Sequence, residues 1–222
     1  MKSKINLIFK SAIFTSLLLF SSLSIAQNDN LIDAFTKSYQ YEKNGNYAAA
    51  ISTLKNVYIE DSYECNLRLG WLTYNAGLYQ ESISYYQKAI NLMPVSIEAR
   101  LGYVYPAAAF GNMTNVILQY KKILEIDPQN SLANYKLGYI YYDKKDFQTA
   151  FKYFEKVVNL YPFDYDGLIM FAWTNLQLGK SREAKILFKK VLLLIVVFAS
   201  AFTSTLRAQS SANVLFRQYY NF

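Results

Sequence analysis

Apolar residues return along this chain at helical spacing. Ala150, Tyr153, Phe154 and Val157 fall at i, i+3, i+4 and i+7, one face of a helix. The phrase that contains them recurs. Ala89-Ile90-Asn91-Leu92-Met93-Pro94, Ile123-Leu124-Glu125-Ile126-Asp127-Pro128 and Val157-Val158-Asn159-Leu160-Tyr161-Pro162 end on prolines 34 residues apart. Proline cannot continue a helical hydrogen-bond ladder and pushes the residue before it out of the α region, so each phrase reads as a helix end. Upstream lie Tyr85-Tyr86 or Tyr153-Phe154. Leu69-Gly70 or Leu137-Gly138 comes earlier still, then a turn at Asn75-Ala76-Gly77 or Lys144-Lys145-Asp146. The pattern predicts helix–turn–helix units over 31–62, 63–96, 97–130, 131–164 and 165–196. The first turns at Asn44-Gly45-Asn46-Tyr47 and the fifth at Leu178-Gly179-Lys180.

This arrangement resembles the tetratricopeptide repeat, a helix–turn–helix unit of 34 residues, over about three quarters of the chain. The resemblance implies an all-α fold, a right-handed α-solenoid of about five hairpins. Within it, small Gly70 and Gly138 on first helices, and Ser82, Ala150 and Ala184 on second helices, allow close approach. Tyr86, Phe154 and Phe188 fill the space between hairpins. The third unit departs from the pattern: Gly70 to Gly102 is 32 residues and Gly102 to Gly138 is 36, and Pro106 falls inside a first helix. A mid-helix proline costs about 3 kcal/mol, so a distorted hairpin is expected there, either a tolerated irregularity or a shaped recess.

In the family, partner segments usually lie in the groove lined by first helices. On the helical phase above, that face carries Phe35, Tyr39, Leu67, Trp71, Tyr74, Leu101, Tyr105, Tyr135, Tyr139, Tyr142, Ile169 and Trp173. Tyrosine and tryptophan supply large contact area at low entropic cost with a polar handle, so the expected ligand is a peptide or protein surface. Some family members clamp an acidic C-terminus with Lys and Asn on these helices. Aromatic residues occupy the corresponding stretch here, so that function is not carried over. Arg68, Arg100 and Lys136 are read either as carboxylate anchors or as residues paired with Glu64, Glu98 and neighbouring acids.

Composition narrows the chemistry. The net charge of +7 sits at the ends, on Lys2, Lys4 and Lys10 and on Lys189, Lys190, Arg207 and Arg217. Setting these seven aside leaves 16 basic against 16 acidic residues, a neutral body that argues against nucleic acid. Without His, the chain lacks the commonest metal ligand and general base. Lone Cys65 reads as a packing residue, because no imidazole activates it. Asp164 and Asp166, at a hairpin junction, read as helix N-cap residues rather than as a catalytic pair. No catalytic residue, metal or cofactor is therefore expected, and a carbohydrate-active enzyme is the weaker alternative. A glycan- or lipid-binding groove is the other, since tyrosine-rich surfaces also stack on sugars.

The ends carry targeting signals. Residues 1–26 read as a signal peptide: Lys2 and Lys4, an apolar run Ile5–Phe20, then Ser24-Ile25-Ala26 before a cut ahead of Gln27. This implies export to the periplasm or cell envelope. The repeat domain is assigned to 27–190 and a tail to 191–222. Val191 to Leu206 runs 16 residues without charge after Lys189-Lys190. It reads as a capping helix, as a membrane association through 191–206, or as a second leader-like segment fused to the chain.

Overall fold

The structure, a computed structural model, describes residues 29–220; in the last helix its side chains are described as far as Phe198, together with Ser200 and Thr203. The leader reading of 1–26 lies outside those residues. All regular structure among them is helical: α1 (29–43), α2 (Tyr47–Lys55), α3 (Tyr63–Asn75), α4 (Tyr79–Leu92), α5 (Ile97–Ala109), α6 (Met113–Ile126), α7 (Ser131–Asp143), α8 (Phe147–Leu160), α9 (Tyr165–Gln177) and α10 (Ser181–Tyr220). The chain divides into two compact units, at Gln119/Tyr120.

Local chemistry fixes the helix starts. Ser62, Ser96, Asn130 and Asp164 are the N-caps of α3, α5, α7 and α9, and each side-chain oxygen accepts the backbone N–H three residues on. Such a cap answers an N–H that the helix cannot bond itself. Each cap follows its proline or, in α3, Glu60 by two residues. Buried side chains at another repeated position tie down the junctions: Asn66 Nδ2 donates to the Glu60 carbonyl, Arg100 Nη2 to Pro94, and Asn134 Nδ2 to Pro128. Turns inside hairpins recur too. Gly77 (φ 77°), Gly111 (φ 82°) and Lys145 (φ 62°) all occupy the left-handed region.

In the first unit, a core of Ala34, Ala50, Ile51, Leu54, Leu69 and Leu72 joins α1, α2 and α3. Helix α3 packs on α4, α4 on α5, and α3 lies beside α5. Tyr86 of α4 is wedged at this junction, 3% exposed. Adding a Cβ at Gly70 would put it 2.9 Å from Tyr86 Cδ2, and at Gly102 2.1 Å from Cε1. Ser82 Oγ donates to the Gly70 carbonyl at 2.7 Å. The second unit repeats the scheme. Helix α7 packs on α8, α8 on α9, α9 on α10, and α7 lies beside α9. Phe154 of α8 is fully buried against Gly138, whose added Cβ would fall 2.8 Å from the ring.

Pro106 does not break the third unit's first helix, against the expected distortion. α5 runs through it, and Pro106 is buried three residues before the helix ends. In the last turn proline forfeits one bond, to the Gly102 carbonyl, and few residues beyond it depend on the ladder. The turn that follows keeps the repeat's register at Gly111.

Helix α10 is continuous, so the expected boundaries at 190/191 and 196 both fall inside it. Ala184 and Val191 are buried, but Leu192, Leu193, Ile195, Val196, Val197 and Phe198 are 46–68% exposed. Among the described residues, no helix is long and apolar enough to cross a membrane.

Candidate partner-binding site

None of the twelve aromatic and apolar residues expected on the first-helix face is fully buried, and five of them (Tyr39, Trp71, Tyr105, Tyr139 and Trp173) are 42–56% exposed. In the first unit Phe35, Tyr39, Leu67 and Trp71 come together around one cavity of about 520 Å³, with Tyr63, Glu64, Arg68, Tyr86, Glu98 and Gly102 completing its wall. Tyr74 stands beside it. Its ring lies 6.3 Å from Trp71, 6.0 Å from Tyr105 and 6.0 Å from Tyr79, so it braces the other rings.

The wall is held by one ion pair. Arg68 is 6% exposed, and its Nη1 lies 2.6 Å from Glu42 Oε2. Its Nε donates to Ser38 Oγ at 3.1 Å, and its guanidinium lies 3.7 Å from the centre of the Tyr39 ring. Glu42 also accepts from Trp71 Nε1 at 2.5 Å. Burial pushes the Glu42 carboxyl up, but the hydrogen bond from Trp71 and the pairing with Arg68 outweigh it and hold the group below the usual carboxylate range. Trp71 is thus an open ring fixed in orientation from behind. The Tyr86 hydroxyl at the back of the cavity has its ionisation pushed well up by burial, then by Glu98.

In the second unit the expected residues separate. Tyr135 lines a cavity of about 340 Å³ with Ser131, Leu132, Lys136, Val157, Tyr161, Asp164 and Asp166. Tyr139 and Tyr142 line another, of about 460 Å³, with Asp143, Lys145, Phe147, Met170 and Gln177. Tyr135 packs edge-on to Phe154, Tyr142 to Phe147 and Trp173 to Phe188, with ring centres 5.8, 5.3 and 5.1 Å apart. These three rings are partly spent on packing, whereas Tyr139 is 52% exposed.

The charged residues differ from expectation. Arg68 pairs with Glu42, not with Glu64; Arg100 is 9% exposed and donates to Gln119 Oε1 and to the Pro94 carbonyl. Both pairings run between helices, which spacing within one helix could not reveal. Lys136 is exposed. Asp164 accepts from Gly167 N at 2.6 Å, the N-cap expected of it. Cys65 is buried and free. Among the described residues, no group of His, Cys, Asp or Glu could hold a metal ion. The sequence pattern does not point to Glu42 or Tyr63, and Tyr86, expected to fill the space between hairpins, also lines the cavity. The signal for Tyr86 was its aromatic pair preceding Pro94; Glu42 left none, lying 26 residues from Arg68.

Comparison with known proteins agrees with the repeated helical hairpins of the fold. Tetratricopeptide repeat models match residues 35–95 and 131–164. The chain is 26% identical over 187 residues to the TPR repeat-containing protein YpiA of Bacillus subtilis (strain 168), covering 82% of this chain and 44% of that one. The chain therefore spans under half the length of that curated relative. It is also similar to the crystal structure of MamA protein, with a TM-score of 0.68 at 20% identity over 78% of this chain and 96% of that one. MamA 41-end from Desulfovibrio magneticus RS-1 gives a TM-score of 0.65 at 19% identity, over 76% of this chain and 97% of that one. At these identities the likeness shows the fold, stacked helix–turn–helix hairpins of an α-solenoid.

Proposed function

The chain is a tetratricopeptide-repeat protein, and from that premise we propose that it is a non-catalytic scaffold that captures an extended segment of a partner protein on the first-helix face of its first unit. Repeats of this family mediate contacts between proteins. One observation carries the reading: Trp71 is 42% exposed yet tied through its indole N–H to Glu42, which Arg68 pins. A ring held in place before binding loses little freedom on binding, and tryptophan is among the residues that dominate interface energies.

Phage-displayed peptides selected on the full chain test it. Replacing a hot-spot tryptophan by alanine costs about 2–4 kcal/mol, so Trp71→Ala should weaken selected peptides by roughly thirtyfold or more at unchanged far-UV circular dichroism. Selected peptides that bind Trp71→Ala as well as the native chain would refute the site. We further propose that the scaffold works in the cell envelope, on the strength of the leader-like pattern over residues 1–26. N-terminal sequencing of the expressed protein should then begin at Gln27, and a retained Met1 would refute this.

A further inference from the structure

Two carboxylates share the wall of the first unit's cavity. Glu64 lies in the first turn of α3 and Glu98 in the first turn of α5, and both are exposed. An acid in a first turn complements the helix dipole, which explains each residue singly. It does not explain why both line one aromatic cavity. The cation that lines this cavity, Arg68, is already answered by Glu42 from outside the lining. Glu64 and Glu98 are therefore surplus negative charge. Their hydrogen bonds come from neutral hydroxyls: Ser62 Oγ to Glu64 at 3.0 Å, and Tyr63 OH to Glu98 at a long 3.4 Å. Neither takes part in an ion pair among the described residues.

A second, independent feature points to a ligand. Arg68 Nη2 is buried and has no acceptor, although the other two guanidinium nitrogens are satisfied. A buried donor left unpaired is costly, more so when charged. Arg68 lines the cavity, and Tyr39, stacked over its guanidinium, lines it too and is 56% exposed.

We propose that the cavity takes a lysine or arginine side chain of an extended partner peptide. Its cationic head lies between Glu64 and Glu98, and its methylene stem lies along Leu67 and Trp71. A neighbouring peptide carbonyl accepts from Arg68 Nη2. Two carboxylates and aromatic faces together favour a cation, and a long basic side chain presents an apolar stem to the rings. This inference rests on the peptide-capture reading above and specifies its ligand.

The chain has two tryptophans, Trp71 and Trp173, so Trp173→Phe leaves Trp71 as the reporter inside the site. The full-length Trp173→Phe protein is titrated with four pools of short capped peptides. The central position is fixed as Lys, Arg, norleucine or Glu, and the other positions are randomised. The Lys and Arg pools should shift Trp71 emission at concentrations about tenfold below the norleucine pool, and the Glu pool should be weakest. In Glu64→Gln/Glu98→Gln this preference should vanish while the norleucine response persists. Raising salt to about 1 M should erase it in the unsubstituted site, which keeps the test open if the double variant folds poorly. Equal binding of the norleucine and Lys pools, or a preference for Glu, overturns the basic ligand and leaves peptide capture standing. If no pool moves Trp71 emission, both readings fall.

Discussion

Gly102→Ala is the sharpest test of how the first unit is packed. The added Cβ would stand 2.1 Å from Tyr86 Cε1, 2.5 Å from Cζ and 2.7 Å from Cδ1. Carbon atoms in good contact lie about 3.5–4.0 Å apart, so the ring edge must withdraw by more than an ångström. It has little room. On its other side an added Cβ at Gly70 would already stand 2.9–3.0 Å from the ring, and the ring is 3% exposed. Keeping the ring in place strains the junction of α3, α4 and α5, and overpacking of this kind costs about 1–3 kcal/mol. Alanine returns up to about 1 kcal/mol of helix propensity. Expelling the ring instead forfeits an aromatic burial worth about 3–5 kcal/mol. With so close an approach the strain falls in the upper part of the overpacking range, so after the alanine gain the expected net loss is about 1–2 kcal/mol, a fall in Tm of roughly 2–8 °C for a chain of this size. Thermal and urea unfolding followed by circular dichroism would measure it. Tyr86→Leu removes the clashing atoms, so the double variant should be less damaged than the two singles combined. A Gly102→Ala protein as stable as the native one, or a strictly additive cycle, would refute the wedge.

Three further outcomes follow from other parts of the structure. Lys145 holds φ 62° where Gly77 and Gly111 occupy the equivalent turns. Relief of the left-handed penalty, about 1–2 kcal/mol, outweighs glycine's greater freedom when unfolded, so Lys145→Gly should raise Tm by a few degrees; a fall would contradict it. Glu42 ionises below the usual carboxylate range, so its contribution is present above the unfolded value and lost as pH falls through the lowered folded one. Acid titration of Trp71 emission in Trp173→Phe should therefore show a midpoint below that of an ordinary glutamate, abolished by Glu42→Gln; a midpoint at or above the ordinary value would mean the carboxylate is not held. Deleting residues 197–222 removes exposed Val197 and Phe198 and no buried side chain described beyond Val191. Tm should stay within about 2 °C and solubility should improve, whereas a large fall in Tm would show that the tail caps the repeats.

Much of the hairpin scheme could be read from the sequence because the repeat forces the same physical problem to be solved at the same place. Pro94, Pro128 and Pro162 end helices, and Ser96, Asn130 and Asp164 begin the next. Gly70 and Gly138 sit against Tyr86 and Phe154 because a ring fills the space a side chain would take. The features that the sequence does not reveal depend on three-dimensional neighbours rather than on period. Tyr86 serves two glycines on different helices, and Gly102, the tighter one, shows in the sequence only as an irregular spacing. Pro106 reads as disruptive in the sequence because no local signal marks the end of α5, three residues beyond it. The candidate site was legible as a stripe of rings. Its fixed part was not, because Glu42 reaches Arg68 and Trp71 across two helices and no local pattern marks such a pair.

Partner capture as proposed requires Trp71 and its neighbours to face the bound partner. Photo-crosslinking measures this directly, with benzoylphenylalanine placed in turn at Tyr39 and at exposed Ser84 on α4, and a peptide selected on the native chain as the target. An adduct is expected from position 39, mapped by mass spectrometry, and none from position 84. An adduct from 84 with none from 39 would place the partner on another face and contradict it.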